Sequence, residues 1–316
     1  MPGNGAQRFE AWVYVILANK RKTVKEATAG KKDVMKEIAT DVVIETDYEG
    51  VTVGAIRTSA GVLMVDAPKR PKDAAAWRAA CTRSASGPDR LLVLLDEHPD
   101  RVCGASGTRC PVITHERAAL AMNNRPSTAR QPAGANNPED ETQPETVNNS
   151  RTIHPEITFS TSLSINWGEE PILIEYHAGS SKGSTWVILP DRQVAFVGDS
   201  VTPKQPPFLA SADIEEWLKS LHEIKLARFK DFILISGRAT LVTLNDVNDL
   251  EKFLKNADNK IKKISPSKGN LDEINAVAEE LAREFSPKTK RELELFKNRL
   301  VYGVSQYVFN HASNSA

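Results

Sequence analysis

LLVLLDEHPDR, residues 91–101, is the stretch on which the fold and the function of this chain depend. Five apolar residues in a row are typical of a strand that is buried on both faces. The strand then runs directly into Asp96, Glu97, His98 and Asp100. Two interpretations are open: the strand reaches solvent at this point, or its end carries the chemistry of the protein.

Three further apolar runs end in residues of a similar chemical type. ILIEY is followed by His177, VAFVG is followed by Asp199, and FILIS is followed by a short segment that contains Arg238. If these strands are neighbours with aligned ends, acidic, imidazole and guanidinium side chains meet at one place. The repetition therefore favours a functional site over four unrelated strand ends.

The rest of the chain mixes strand and helix patterns. VVIETDYEGVTVGAIRT at 42–58 alternates around a Glu-Gly turn, which is typical of a hairpin. KDAAAWRAACTRSA at 72–85 has helical composition, and DIEEWLKSLHEI at 213–224 is amphipathic with helical spacing. Strands and helices that alternate in this way predict an α/β class.

Composition changes divide the chain into segments. We expect an N-terminal extension over residues 1–40, a principal domain over 41–245, and a helical extension of that domain over 246–316. Within the principal domain, residues 123–152 have almost no large apolar side chain, so they cannot bury enough surface to offset their ordering entropy. We interpret them as a mobile insertion.

Charge and cysteine content exclude several classes of protein. Lys plus Arg (41) equals Asp plus Glu (41), so no overall charge favours nucleic acid or an anionic membrane. The three cysteines cannot form a disulfide framework, which is consistent with a cytoplasmic location. AWVYVILA at 11–18 is too short to span a bilayer and lacks a clear cleavage site, so we expect neither a membrane span nor a signal peptide.

The strand ends resemble those of the metallo-beta-lactamase-fold hydrolases, over roughly residues 41–245. That family has H-x-H-x-D-H after an apolar strand, a third His before a Gly- and Ser-containing turn, an Asp in a phrase like GD, and a final His in GHG. Here DEHPDR at 96–101 takes the first place, YHAGSSKGS contains His177, FVGDS contains Asp199, and SGRA contains Arg238. The resemblance implies a four-layer αββα sandwich of the metallo-beta-lactamase type with a helical C-terminal extension.

The resemblance also implies a metal site with altered donors. The first metal of the family would be held here by Asp96, His98 and His177, with Asp199 in the bridging position. Imidazole and carboxylate are both ordinary zinc ligands, so we expect one zinc ion, with manganese or iron as alternatives. Asp100 or Asp199 would orient the metal-bound water or take its proton.

Two histidines of the family pattern are arginine in this chain, at Arg101 and Arg238. Arginine stays protonated and has no lone pair for a metal, so the second metal is not expected. Because guanidinium groups fork onto carboxylates, we predict that the two arginines pair with Asp100 and Asp199 and supply the charge of the missing ion. They could also stabilise negative charge on a bound substrate.

Two functions remain open from the sequence. The first is metal-dependent hydrolysis of a small-molecule ester, thioester, lactone or phosphodiester with at most one metal ion. The second is a non-catalytic relative in which the pocket has become a lattice of ion pairs and the protein is a binding or scaffold protein. The oligomeric state is left open in both cases.

Other polar residues receive plainer interpretations. Glu97 lies between expected ligand positions and could orient water. SSKGS at 180–184 is interpreted as a turn, because no P-loop pattern surrounds it. The remaining histidines are interpreted as structural residues: His115, His154, His222 and His311.

Overall fold

Twelve strands and seven α-helices make up the part of the chain that this computed structural model describes. The described residues are 35–83, 85–124, 153–238, 241–264 and 271–314. The extension expected over residues 1–40 lies outside these ranges up to residue 34. The insertion expected over 123–152 lies outside them from residue 125 onward.

The strands and helices alternate along the chain as the sequence predicts. The strands are β1 (Lys36–Ala39), β2 (Val42–Glu45), β3 (Val53–Arg57), β4 (Gly61–Val65), β5 (Asp89–Val93), β6 (Val112–His115), β7 (Ile157–Phe159), β8 (Ser162–Ile165), β9 (Ile172–Tyr176), β10 (Thr185–Leu189), β11 (Val194–Gly198) and β12 (Ile233–Ser236). The helices are α1 (Pro71–Thr82), α2 (Pro99–Val102), α3 (Glu116–Asn123), α4 (Ile214–Ile224), α5 (Leu244–Ile261), α6 (Leu271–Arg283) and α7 (Lys290–Asn314).

The strands form two sheets. The first has seven strands in chain order, β1 to β7, with antiparallel pairing up to β4 and parallel pairing from β4 onward. The second has the order β12-β11-β10-β9-β8, in which β11 and β12 are parallel. The first sheet starts inside the segment expected to be an extension, because Lys36 in β1 pairs with Ile44 in β2.

Three apolar cores separate four layers. The central core lies between the sheets and contains Val93 from β5 and Val187 from β10. The outer face of the first sheet packs against α1, through Trp77, and against α3. The outer face of the second sheet packs against the last four helices, with Trp217 of α4 fully buried. The order of layers is therefore helices, sheet, sheet, helices.

The central strands are apolar throughout because both of their faces are covered. In the β5 segment, Leu92 and Leu94 point into the outer core, whereas Val93 and Leu95 point into the central core. This is the expected consequence of a side-chain period of two residues in a strand between two layers. None of the helices in the described ranges is long and apolar enough to cross a membrane.

Candidate functional site

Four strands bring charged side chains to one edge of the sandwich. Asp66 follows β4 and Asp96 comes just after β5, and these strands are parallel neighbours in the first sheet. Asp199 follows β11 and Arg238 comes just after β12, which are parallel neighbours in the second sheet. Parallel neighbours end at the same edge of a sheet, so each sheet places its two residues side by side. Arg101 joins the two sheets because it contacts carboxylates from both.

Arg101, in the short helix α2, is at the centre of this site and is fully buried. Its Nη1 lies 3.1 Å from Oδ2 of Asp96 and 3.3 Å from Oδ2 of Asp66, and its Nη2 lies 2.8 Å from Oδ2 of Asp199. Burial alone would lower the pKa of this guanidinium, but the three carboxylates outweigh burial and hold the pKa well above its usual value. The side chain is therefore a permanent cation inside the protein.

Arg238 forms a second bridge at the rim of the site. Its Nε donates to Oδ2 of Asp199 at 2.9 Å, and its Nη1 donates to Oδ2 of Asp100 at 2.9 Å. Lys69 adds a third cation, with Nζ at 3.4 Å from Oδ1 of Asp100. Of the two carboxylates predicted to pair with arginine, Asp199 thus contacts both arginines, and Asp100 contacts Arg238. We call this group the arginine–carboxylate network, and its members are Asp66, Lys69, Asp96, Asp100, Arg101, Asp199 and Arg238.

The network has four carboxyl groups and three cationic groups, and the carboxyl groups differ in proton affinity. Burial raises the pKa of Asp66 to about 7, because the nearby Arg101 offsets only part of the cost of a buried charge. Burial also raises the pKa of Asp96. At Asp199 burial acts in the same direction, but Arg101 and Arg238 together hold the pKa below its usual value. Asp66 therefore takes up a proton as the pH falls through about 7, which reduces the surplus negative charge of the network.

Gly237 allows the chain to pass close to the network. A Cβ atom at this position would lie 2.5 Å from Oδ1 of Asp199, which is closer than real Cβ atoms approach other atoms. It would also lie 3.2 Å from Nη1 of Arg101. The carbonyl of Gly237 accepts a hydrogen bond from the backbone N–H of Thr52 at 2.7 Å, which ties the β2–β3 loop to the same edge. The glycine of the SGRA segment therefore has a packing role beside Arg238.

His98 lies between the network and the surface. Its Nδ1 accepts the backbone N–H of Asp100 at 3.3 Å and so caps helix α2. Nη2 of Arg238 lies 3.0 Å from the same nitrogen, and the ring of Phe208 lies 4.5 Å away, centroid to centroid. The same Arg238 nitrogen also lies 3.4 Å from Nε2 of His98, so the imidazole lies directly against the guanidinium.

His177 belongs to a different group of charged side chains. Its Nε2 lies 3.2 Å from Oε2 of Glu175, its Nδ1 lies 3.5 Å from Oε2 of Glu223 on α4, and its ring stacks on Trp186 at 3.7 Å. Arg228 completes the group with two hydrogen bonds to Glu175, at 2.9 and 2.6 Å. The bond to His177, more than the bonds to Arg228, lowers the pKa of Glu175 to about 2. We call this group the His177 cluster, and its members are Glu175, His177, Glu223 and Arg228.

The expected metal ligands are therefore divided between two groups. Asp96 and Asp199 contact arginines, His98 lies against Arg238, and His177 lies against Glu175 and Glu223. In the described ranges, no group of three or more His, Cys, Asp and Glu side chains is placed to hold a metal ion. The residues present do not fit a metal, because the carboxylate oxygens that would donate to it already face permanent cations. This differs from the expectation of a zinc, manganese or iron ion held by Asp96, His98 and His177.

The carboxylates expected to handle a proton are also occupied. Asp100 contacts both Arg238 and Lys69, and Asp199 contacts both Arg101 and Arg238. Asp199 is a weak base, because Arg101 and Arg238 hold its pKa below its usual value. The arrangement thus resembles a structural lattice more than a general-base site.

The residues given plainer interpretations have local partners. Glu97 accepts a hydrogen bond from the hydroxyl of Ser181 at 2.7 Å, within the SSKGS turn. His115 caps α3 by accepting the backbone N–H of Arg117 at 3.1 Å, and its Nε2 lies 2.9 Å from the carbonyl of Ser160. His154 lies near the side chain of Asn123, His222 is exposed on α4, and the side chain of His311 lies outside the described residues.

Three members of the site were not expected from the sequence: Asp66, Lys69 and Phe208. Asp66 ends the apolar strand GVLMV, and that strand end could have been grouped with the other four on the same reasoning. Its Oδ1 accepts the backbone N–H of Leu95 at 2.9 Å, which ties β4 to the chain after β5. Phe208 carries no comparable signal, because it lies in an irregular segment and contacts the site only through the tertiary fold.

Solved structures with a similar fold cover most of this chain. No family model matches the sequence, and no curated protein matches it. A metallo-beta-lactamase from Pontibacter korlensis is 17% identical, with a TM-score of 0.55, over 70% of this chain and 98% of that one. A DIM-1 metallo-beta-lactamase exposed to ceftazidime is 14% identical, with a TM-score of 0.55, over 71% and 96%. A further DIM-1 structure is 15% identical, with a TM-score of 0.53, over 71% and 97%.

Proposed function

On the premise that the chain has the metallo-beta-lactamase fold, which the sequence predicted, we propose that it is a non-catalytic binding or scaffold protein of that fold. The observation that carries the proposal is that Arg101 and Arg238 form ion pairs with the carboxylates of the site. Arg101 is fully buried among three of them, and Arg238 bridges Asp199 and Asp100. The cations that hold these carboxylates together belong to the chain itself.

The burial of Arg101 is the first support for this proposal. A divalent ion beside Asp96 and Asp199 would lie next to a buried guanidinium that cannot lose its proton. Two positive charges that lie side by side in a medium of low dielectric constant repel each other strongly. Metal binding would therefore require Arg101 to leave its three partners, and the energetic cost of that movement opposes it.

The occupied carboxylates are the second support. Metal-assisted hydrolysis needs a group that orients the attacking water or takes its proton. Asp100 and Asp199 are the candidates for that role, and each contacts two basic side chains. On this proposal the two carboxylates maintain the fold of the strand ends.

The competing function is the metal-dependent hydrolase with one ion that the family resemblance implies. It would act on a small-molecule ester, thioester, lactone or phosphodiester and would use Asp96, His98, His177 and Asp199 as ligands. The lactamase names of the structural neighbours support it, since those proteins share the fold. It requires His177 to leave Glu175 and Glu223, and Asp96 and Asp199 to leave Arg101.

Metal analysis of tag-free, full-length protein distinguishes the two functions. On the proposed function, the purified protein retains less than about 0.1 zinc, manganese or iron per chain, since its carboxylates are paired with arginine. Addition of zinc or manganese then leaves the melting temperature unchanged within about 1 °C, because an ion that does not bind the folded state cannot stabilise it.

The controls separate site binding from surface binding. His98→Ala and His177→Ala test the expected ligands, and His222→Ala tests an exposed histidine away from them. A metal retained at about one ion per chain, together with a rise in melting temperature that both site variants abolish and His222→Ala preserves, would refute the proposal and support the hydrolase.

A further inference from the structure

The segment that follows Asp199 covers the arginine–carboxylate network. Residues 203–209, which we call the 203–209 loop, are irregular and include three prolines. Phe208 in this loop lies against the site: the Cζ of Arg238 is 4.3 Å from its ring centroid, and the ring of His98 is 4.5 Å away. The phenyl ring thus packs against both residues and is itself only partly buried.

The C-terminal helix α7 holds this loop through Arg299. Nη1 of Arg299 lies 3.0 Å from Oε1 of Gln205 and 2.9 Å from the carbonyl of Pro206. The Cζ of Arg299 also lies 4.5 Å from the centroid of the Phe208 ring. One side chain therefore contacts three residues of the loop, and its guanidinium lies over the same ring as that of Arg238.

A close backbone contact supports the same attachment one helical turn later. A Cβ atom at Gly303 would lie 3.1 Å from Cβ of Leu209 and 3.3 Å from its backbone nitrogen. Leu209 is 1% exposed, and Leu300 and Val304 of the helix are fully buried in the same core. Positions 299 and 303 face the same side of a helix, so α7 presents one continuous surface to the loop.

We propose that the 203–209 loop is a lid closed over the arginine–carboxylate network and that helix α7 is the latch that holds it closed through Arg299. Arg299 is a positioning residue: it contacts the loop, and the loop contacts His98 and Arg238. Release of Arg299 frees Phe208 and exposes the rim of the network, while Arg101 stays buried. This inference depends on the contacts of α7 and holds for either function considered above.

Hydrogen exchange on the full-length protein tests the latch. Lys204, Gln205, Phe208 and Leu209 carry the exchangeable backbone amides of the loop, since prolines have none. In Arg299→Ala these amides should exchange about tenfold faster than in the wild type, roughly the factor that two lost hydrogen bonds produce. Arg291→Ala, at an exposed position two turns earlier on α7, is the matched control and should leave loop exchange unchanged.

The imidazole of His98 supplies a second readout that general destabilisation does not move. Phe208→Leu removes the ring current on His98 and defines the NMR shift of the open lid. Arg299→Ala should move the His98 ring resonance towards that value, while the resonance of the exposed His222 stays in place. Arg299→Lys keeps the positive charge but loses the planar fork, so it should give a smaller shift and remains usable if the alanine variant does not fold.

Two outcomes would overturn the latch. One is a folded Arg299 variant in which neither loop exchange nor the His98 resonance changes. The other is an increase in exchange that extends equally over α7 and the loop, since that result describes unfolding of the helix. Both outcomes can be read independently of metal content and of hydrolytic activity.

Discussion

The arginine–carboxylate network and the His177 cluster both pair arginine with carboxylates, yet the two arginines differ in burial. Arg101 has no exposed surface, whereas the side chain of Arg228 in the His177 cluster is 45% exposed. Both arginines contact carboxylates at 2.6–3.3 Å. Distance therefore does not distinguish the two regions. Burial does, because it removes the water that would otherwise solvate an unpaired charge.

The comparison shows how these strand ends can be stable with arginine at the positions where the family resemblance expects metal-binding histidines. In the network, two sheets are joined by side-chain cations, so each carboxylate has a partner without a bound ion. In the His177 cluster, water also solvates the charged side chains, so it partly compensates for the loss of one ion-pair partner. Substitutions in the two regions should therefore have unequal effects.

The largest effect is expected for Arg101→Met. The variant leaves three buried carboxylates without their central cation, and such a change costs about 3–5 kcal/mol of unfolding free energy. Denaturant unfolding at pH 7 measures the loss. A loss below about 1 kcal/mol would mean that the network does not hold the sheets together, and the contrast between the two regions would disappear.

A pH effect of intermediate size is expected from Asp66. Because its pKa is about 7 in the folded chain and near 4 in the unfolded chain, the folded state holds a proton between those values that the unfolded state has lost. Its contribution to stability is therefore complete below about pH 4 and is lost as the pH rises through about 7. The loss has a slope of up to about 1.4 kcal/mol per pH unit.

Asp66→Asn, which mimics the protonated carboxyl group, isolates this contribution. The stability of the variant relative to the wild type should increase from pH 5 to pH 7 and then level off. Chemical unfolding at pH 5, 6, 7 and 8 measures the difference. A constant difference over that range would show that Asp66 does not hold the extra proton.

The smallest effect is expected for Arg228→Met, the matched substitution in the His177 cluster. Its two hydrogen bonds to Glu175 are at the surface, so the variant should lose no more than about 1 kcal/mol. Unfolding under the same conditions as for Arg101→Met gives the comparison directly. Equal losses in the two variants would contradict the role assigned to burial.

Chain order and apolar spacing were enough to predict the strand ends. LLVLL and VAFVG are apolar throughout because each strand is covered on both faces. Each strand also pairs with a parallel neighbour, so the carboxyl ends of the two strands lie at the same edge of the sheet. Asp96, Asp100 and Asp199 follow from that pattern, whereas the contact of the two arginines with carboxylates was predicted from the family resemblance. The chemistry of arginine, which has no lone pair, also follows from the residue type alone.

The tertiary structure alone decided which partner each side chain takes. His177 faces Glu223 because α4 packs over the second sheet, and the sequence does not say which face of the strand end that helix covers. Phe208 and Arg299 meet across more than 90 residues of chain, and neither lies in a recognisable motif. Local patterns determine which residues stand at an edge, since they depend on short-range periodicity. Contacts between distant segments depend on how all the layers pack together, and only the folded chain contains that information.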